Sequence, residues 1–201
     1  GAMTVAPRRA WFYAAGIATA LAAQTALLRG YGLFDHPGVL GVALATFGLV
    51  FFAAPAVVGA LADAPARRVA LFGVVALGVA ARAAHFGDVG LLETDFHRYL
   101  LDGATMLAGV NPFVHAPAAT LAADGATIGL APLSEAARAT LEAVNHPQLL
   151  TIYPMTAQAA FLFAALIEPW SVDAWRIVLF SVDLGVLAVL ISLLKVLGRS
   201  P

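Results

Sequence analysis

The chain contains no cysteine, so thiol catalysis, disulfides and cysteine-ligated zinc are excluded. Charge is also scarce. Only 11% of residues are Asp, Glu, Lys or Arg, against about a quarter in a soluble domain. With 61% hydrophobic residues over 201 positions, there is too little polar surface to keep the whole chain in water. The formal net charge of -1 gives no electrostatic reason to bind nucleic acid. Heptads, internal repeats and a glycine-rich phosphate loop are missing as well.

What the chain has instead is long apolar runs. A spanning helix takes about 20 apolar residues. Five stretches qualify: about Ala10–Leu28, Pro37–Leu61, Arg68–Ala84, Thr151–Ile167 and Ala174–Leu194. The expected fold is therefore all-α, a polytopic membrane bundle of about five transmembrane helices. Gly1-Ala2-Met3 reads as a cloning scar, and the run after Arg8 and Arg9 reads as a retained helix. Pro55 should kink the second helix. The small residues Ala14, Ala15, Gly16, Gly73 and Gly78 suit close helix packing. Trp11, Trp170 and Trp175 fall at helix ends and read as interfacial anchors. Arg8, Arg9, Arg67 and Arg68 put their ends of the first three helices in the cytoplasm. Lys195 and Arg199 point the other way, and the early clusters take precedence because early helices usually dominate.

Between the third and fourth runs lies a polar island. Residues 1–84 hold three helices, 85–150 form an extracytoplasmic loop, and 151–201 hold two more helices, expected to belong to a longer chain. The island opens Glu93-Thr94-Asp95-Phe96-His97-Arg98-Tyr99-Leu100-Leu101-Asp102-Gly103. A Gly109-Val110-Asn111-Pro112-Phe113 turn follows, and the island closes on Asn145-His146-Pro147, running into Thr151-Ile152-Tyr153-Pro154. An ordered loop of this length usually carries function. Thr94 is the expected N-cap and Gly109 the expected stop of a helix lying at the membrane face. On it Asp95, Arg98, Tyr99 and Asp102 recur at helical spacing and share one side, with Phe96, Leu100, Gly103 and Leu107 on the other. A second amphipathic helix is expected from Ser134 to Val144, and Ala116–Gly129 is expected to be mobile.

The side chains suit one reaction class. A carboxylate at a helix start can serve as general base, and free N–H groups there suit a phosphate. Arg98 can neutralise a phosphate, as can His97, His115 and His146 if protonated. Together these fit a hydroxyl attacking a carbon whose leaving group is phosphate.

The ordered motifs across about residues 82–160 resemble the first extracytoplasmic loop of GT-C glycosyltransferases. They are most similar to bacterial mannosyltransferases that use polyprenyl-phosphate mannose. The resemblance implies an inner-membrane enzyme of a bacterium with its loop outside. It would pass a sugar, with inversion, from a polyprenyl-phosphate donor to a lipid or glycan acceptor. It implies Asp95 as base with Glu93 as the second choice, and Arg98 and Tyr99 at the donor phosphate or sugar. His146 and Tyr153 would sit at the cavity mouth. His97, Asp102, Asn111 and Arg82 complete the expected binding set. Two departures stand out. The loop follows the third helix rather than the first, and Met155 replaces a second proline after Pro154.

Plainer readings stand beside these. Asp95 and Asp102 could simply pair with Arg98 on a solvated face. Asn111-Pro112 and His146-Pro147 could be turn punctuation. Arg82 could snorkel to the interface or reach a lipid phosphate. Asp183 lies in the fifth apolar run, where a charge is costly. It reads either as functional or as hydrogen-bonded across the bundle to Gln158. The histidines lack metal-ligand spacing, and no resident cofactor is expected. A divalent cation bridging Glu93 or Asp95 to phosphate remains an option. The alternative function is a non-catalytic module, a transporter or lipid-binding fragment with a ligand-binding loop.

Overall fold

The computed structural model describes residues 7–30, 36–59, 64–88 and 94–198. All regular structure among them is helical. The chain divides into two compact units, one ending at Leu92 and the other running from Glu93 to Ser200.

The first unit holds α1 (Pro7–Gly30), α2 (Pro37–Gly59) and α3 (Ala64–Ala83). α2 continues through Pro55 to Gly59. Gln24 is buried on α1, and its Nε2 donates to the Ala43 carbonyl of α2 at 3.2 Å. A single polar graft of this kind suits helices whose other surfaces are apolar. Arg29, in the last turn of α1, donates Nε and Nη2 to the Asp88 carboxylate at 3.1 and 3.3 Å. His85 Nδ1 lies 3.1 Å from the same group. The Arg29 hydrogen bond, and after it the one from His85, outweighs burial and holds the Asp88 carboxyl below its ordinary range. Arg82 is exposed and turns Nη1 back toward the Gly78 carbonyl at 3.4 Å. Phe47, Phe51, Phe52 and Phe72 face outward, more contiguous apolar surface than a water-facing monomer usually shows.

The second unit is built on α4 (Phe96–Leu107), α5 (Pro117–Ala122), a 3-10 turn (Ala126–Ile128), α6 (Glu135–Glu142), α7 (Met155–Ile167) and α8 (Val172–Val196). α4 packs on α7 so closely that Gly103 is obligatory. A Cβ there would stand 2.3 Å from the Phe161 carbonyl oxygen and 3.3 Å from Ala165 Cβ. α4 ends in a Schellman turn. Gly109 takes φ 76°, its N–H donates to the Met106 carbonyl at 2.9 Å, and Val110 N–H reaches Thr105 at 3.1 Å. Leu101, Ile128, Leu133, Ala137, Leu141 and Val144 form the core between α4 and α6, with Trp170 packed against it.

Several expectations change. Asp95, not Thr94, occupies the N-cap position of α4, with no side-chain capping bond. The second loop helix forms nearly as expected, with Ser134 Oγ accepting from Ala137 N–H at 3.2 Å. The segment Ala116–Gly129 is folded rather than mobile, because Pro117, Thr120 and Ile128 are sealed in the interior. Trp170 is half-buried on the core rather than a free anchor.

Two of the five expected spans are supported. Pro37–Ala54 of α2 and Val172–Val196 of α8 are long and apolar enough to cross a membrane. The other three expected spans do not reach that mark among the described residues. Arg67, Arg68 and Arg82 leave α3 an uncharged run of only Val69 to Ala81, whereas α1 carries no charged residue between Arg9 and Arg29. α7 has 13 residues, about 20 Å of helix against about 30 Å of hydrocarbon. The four residues that the apolar run placed ahead of it, Thr151 to Pro154, are not helical.

Candidate functional site

The island's head and tail fold onto each other. Asn145 Nδ2 donates to Thr94 Oγ1 at 2.6 Å and to Asp95 Oδ1 at 3.0 Å. These bonds link the start of α4 to a segment fifty residues on. Asp95 is half-buried, and its Oδ2 accepts no hydrogen bond among the described residues. His146 makes the approach possible. Its backbone is left-handed, φ 51°, a conformation that costs a non-glycine residue of order 1–2 kcal/mol. The turn aims Asn145 at α4 and lets the Pro147 carbonyl accept from Ala118 N–H of α5 at 2.8 Å. The His146 ring is exposed beside it.

Further along the same face of α4, the polar groups are sealed. Asp102 is 2% exposed and Arg98 8%. Arg98 Nε donates to Asp102 Oδ1 at 3.2 Å, and Nη2 donates to the Leu149 carbonyl at 2.9 Å. Thr151 Oγ1 donates to Asp102 Oδ2 at 2.5 Å, and Gln158 Nε2 donates to the same oxygen at 2.9 Å. Desolvation is the largest influence on Asp102 and pushes its carboxyl above the ordinary value. Thr151, Gln158 and Arg98 pull it partway back. Arg98 therefore differs from the expected phosphate-facing cation: its guanidinium is already committed to Asp102 and a backbone carbonyl. Asp102 likewise faces protein donors, not a substrate space.

Aromatic rings close the middle of the site. Tyr99 stacks on Phe161 at 4.7 Å and meets Tyr153 edge-on at 5.1 Å. Trp175 stands 5.5 Å from Tyr99 and 5.3 Å from Phe161. Trp175 is thus part of this cluster rather than an unattached interfacial anchor. Such pairs contribute about 0.5–1.5 kcal/mol each beyond area burial.

The remaining candidates are scattered. His97 Nδ1 is buried without a partner, and burial holds the imidazole below its ordinary 6.5, disfavouring the cationic form expected to meet a phosphate. Asn111 is exposed, and its Oδ1 accepts from Phe113 N–H at 2.9 Å, so it serves its own turn. Arg82 belongs to the first unit. Glu93 lies outside the described residues. No group of three or more His, Asp or Glu side chains suited to a metal occurs among the described residues. Gln158 gives its amide to Asp102, not to Asp183, which lies on an exposed stretch of α8.

Thr151, Gln158, Phe161 and Asn145 complete the constellation without having been assigned to it from sequence. Asn145 and Thr151 stand in the motifs that close the island, and Gln158 is a polar residue inside an apolar run whose partner lies 56 positions away. No protein-family model, no curated protein and no solved structure matches this chain.

Proposed function

We propose that the chain belongs to an integral membrane glycosyltransferase of GT-C type. It would use a polyprenyl-phosphate sugar, mannose by resemblance, and transfer it to an acceptor outside the cytoplasm. In this reading the chain is a polytopic protein of a bacterial inner membrane. The single observation that carries the reading is the Asn145 bridge. It joins the Thr94-Asp95 and Asn145-His146-Pro147 motifs at one carboxylate, whose other oxygen accepts no hydrogen bond among the described residues.

The mechanism follows from that oxygen. The acceptor hydroxyl attacks the anomeric carbon from the face opposite the phosphate. Its proton passes to Asp95 Oδ2 as the new C–O bond forms and the old one breaks. An alcohol is too weak an acid to ionise first, so proton transfer accompanies attack. The polyprenyl phosphate leaves with the bonding electrons, and the sugar's configuration inverts. We assign the departing phosphate to His146, which is exposed beside Asn145. Arg98, Asp102, Thr151 and Gln158 act as positioning residues that hold the tail against α4.

The test is sugar transfer in lipid with labelled polyprenyl-phosphate mannose, comparing the chain with its Asp95→Asn variant. Product from the parent and none from the variant supports the assignment. A variant as active as its parent would remove Asp95 as base.

A further inference from the structure

Residues 150–154, neither helix nor turn, form a strap between the Asn145 turn and α7. Thr151 turns inward and is buried on Asp102, and Tyr153 is half-buried in the aromatic cluster. Leu150 and Ile152, which alternate with these two, lie on the solvent side. Leu150 and Met155 are exposed, and Ile152 is 85% exposed. Leu149, also exposed, has its carbonyl covered by Arg98. From Glu142 to Glu168 no Asp, Glu, Lys or Arg intervenes, so no charged side chain of this segment opposes its approach to the lipid interface.

The aromatic cluster fixes the strap's level. Tyr99 touches both Tyr153 of the strap and Trp175, in the first turn of α8. Asp173 and Arg176 pair in that same turn, and α8 beyond it is apolar and exposed, long enough to cross a bilayer. The first turn is therefore where α8 passes from water into lipid, the depth at which aromatic side chains collect.

We infer that the outer face of the strap, centred on Ile152, is a bilayer-contact surface that seats the second unit in the lipid interface. The occupant is membrane lipid. The strap's apolar residues continue onto the exposed Phe163, Leu166 and Ile167 of α7, and its inward residues satisfy their polar groups within the unit. This inference rests on the chain residing in a membrane through α8, but not on any catalytic step.

The absence of cysteine makes the test direct. Nitroxide labels are placed singly through Ile152→Cys, Val189→Cys on α8 and Ala136→Cys on α6, all exposed positions. The full chain is reconstituted in phosphatidylcholine–phosphatidylglycerol vesicles. Collision with oxygen and with a water-soluble nickel chelate is then read by spin resonance. The expected result is that the Ile152 label, like Val189, loses nickel collisions and keeps oxygen collisions, while Ala136 keeps nickel collisions. An Ile152 label as open to nickel as Ala136, with Val189 in lipid, overturns the strap while leaving the membrane reading intact. An Ile152 label shielded from both reagents means a protein covers the strap, and overturns it too. A nickel-accessible Val189 overturns the membrane reading itself. Leu150→Cys repeats the measurement should Ile152→Cys misfold.

Discussion

Asp95 and Asp102 stand two turns apart on one face of α4, yet their surroundings are opposite. Asp102 is enclosed by a guanidinium, a hydroxyl and an amide. Asp95 is half-open and is held at one oxygen by a single neutral amide. The same motif thus supplies one carboxylate locked into the fold and one left partly open to solvent. Spacing on a helix equates them; burial and donor count separate them.

The largest effect expected from breaking this contrast is on chemistry. Asp95→Asn should cut transfer by about 10²–10⁴-fold, the usual worth of a general base, with unfolding temperature unchanged. Asp102→Ala should do the reverse. Leaving Arg98 buried without its partner costs about 3–5 kcal/mol, visible as a lowered unfolding midpoint in detergent. A midpoint unchanged by Asp102→Ala would show that the sealed network does not carry the fold. Gly103→Ala should force α4 from α7 and cost about 1–3 kcal/mol. Chemical denaturation of the purified chain would measure it. Asn145→Ala should lower transfer while changing stability by only about 1 kcal/mol. An equal loss in both would make Asn145 purely structural.

The smallest effects concern pH. The folded state holds the Asp102 proton more tightly than the unfolded chain. That contribution to stability therefore falls as pH rises from the unfolded value of 3.8 through the raised folded one. His97 works in the opposite sense. Its folded value lies below 6.5, so its contribution is full above 6.5 and is lost as pH falls through the depressed value. Melting curves across this range should flatten at the acid end in Asp102→Asn and near neutrality in His97→Gln.

Much of the helical layout was legible in the sequence because its signals are local. Ser134 caps its own helix and Gly109 ends one through its own left-handed φ. The short α7 was not legible, since an apolar run reads alike whether helical or extended, and Pro154 alone marks where the helix starts. The grouping of Asp95, Arg98, Tyr99 and Asp102 on one face could be read from helical spacing. Their division into open and sealed could not, because Asn145, Leu149, Thr151 and Gln158 supply it from about fifty residues away. Trp175 was misjudged for a related reason: an aromatic at a helix end looks the same in sequence whether it faces lipid or a neighbouring ring.

The Arg98–Leu149 bond has a consequence for biosynthesis. A nascent chain that has emerged only as far as α6 carries Arg98 and Asp102 without the carbonyl, hydroxyl and amide that complete their shell. Burying that face early would strand charge in a poorly solvating interior. The loop must therefore stay hydrated until residues 149–158 leave the ribosome. Closing a loop of this size costs little more entropy than closing a short one. Translation thus sets the moment of closure, and α4 and α7 should dock in one late step.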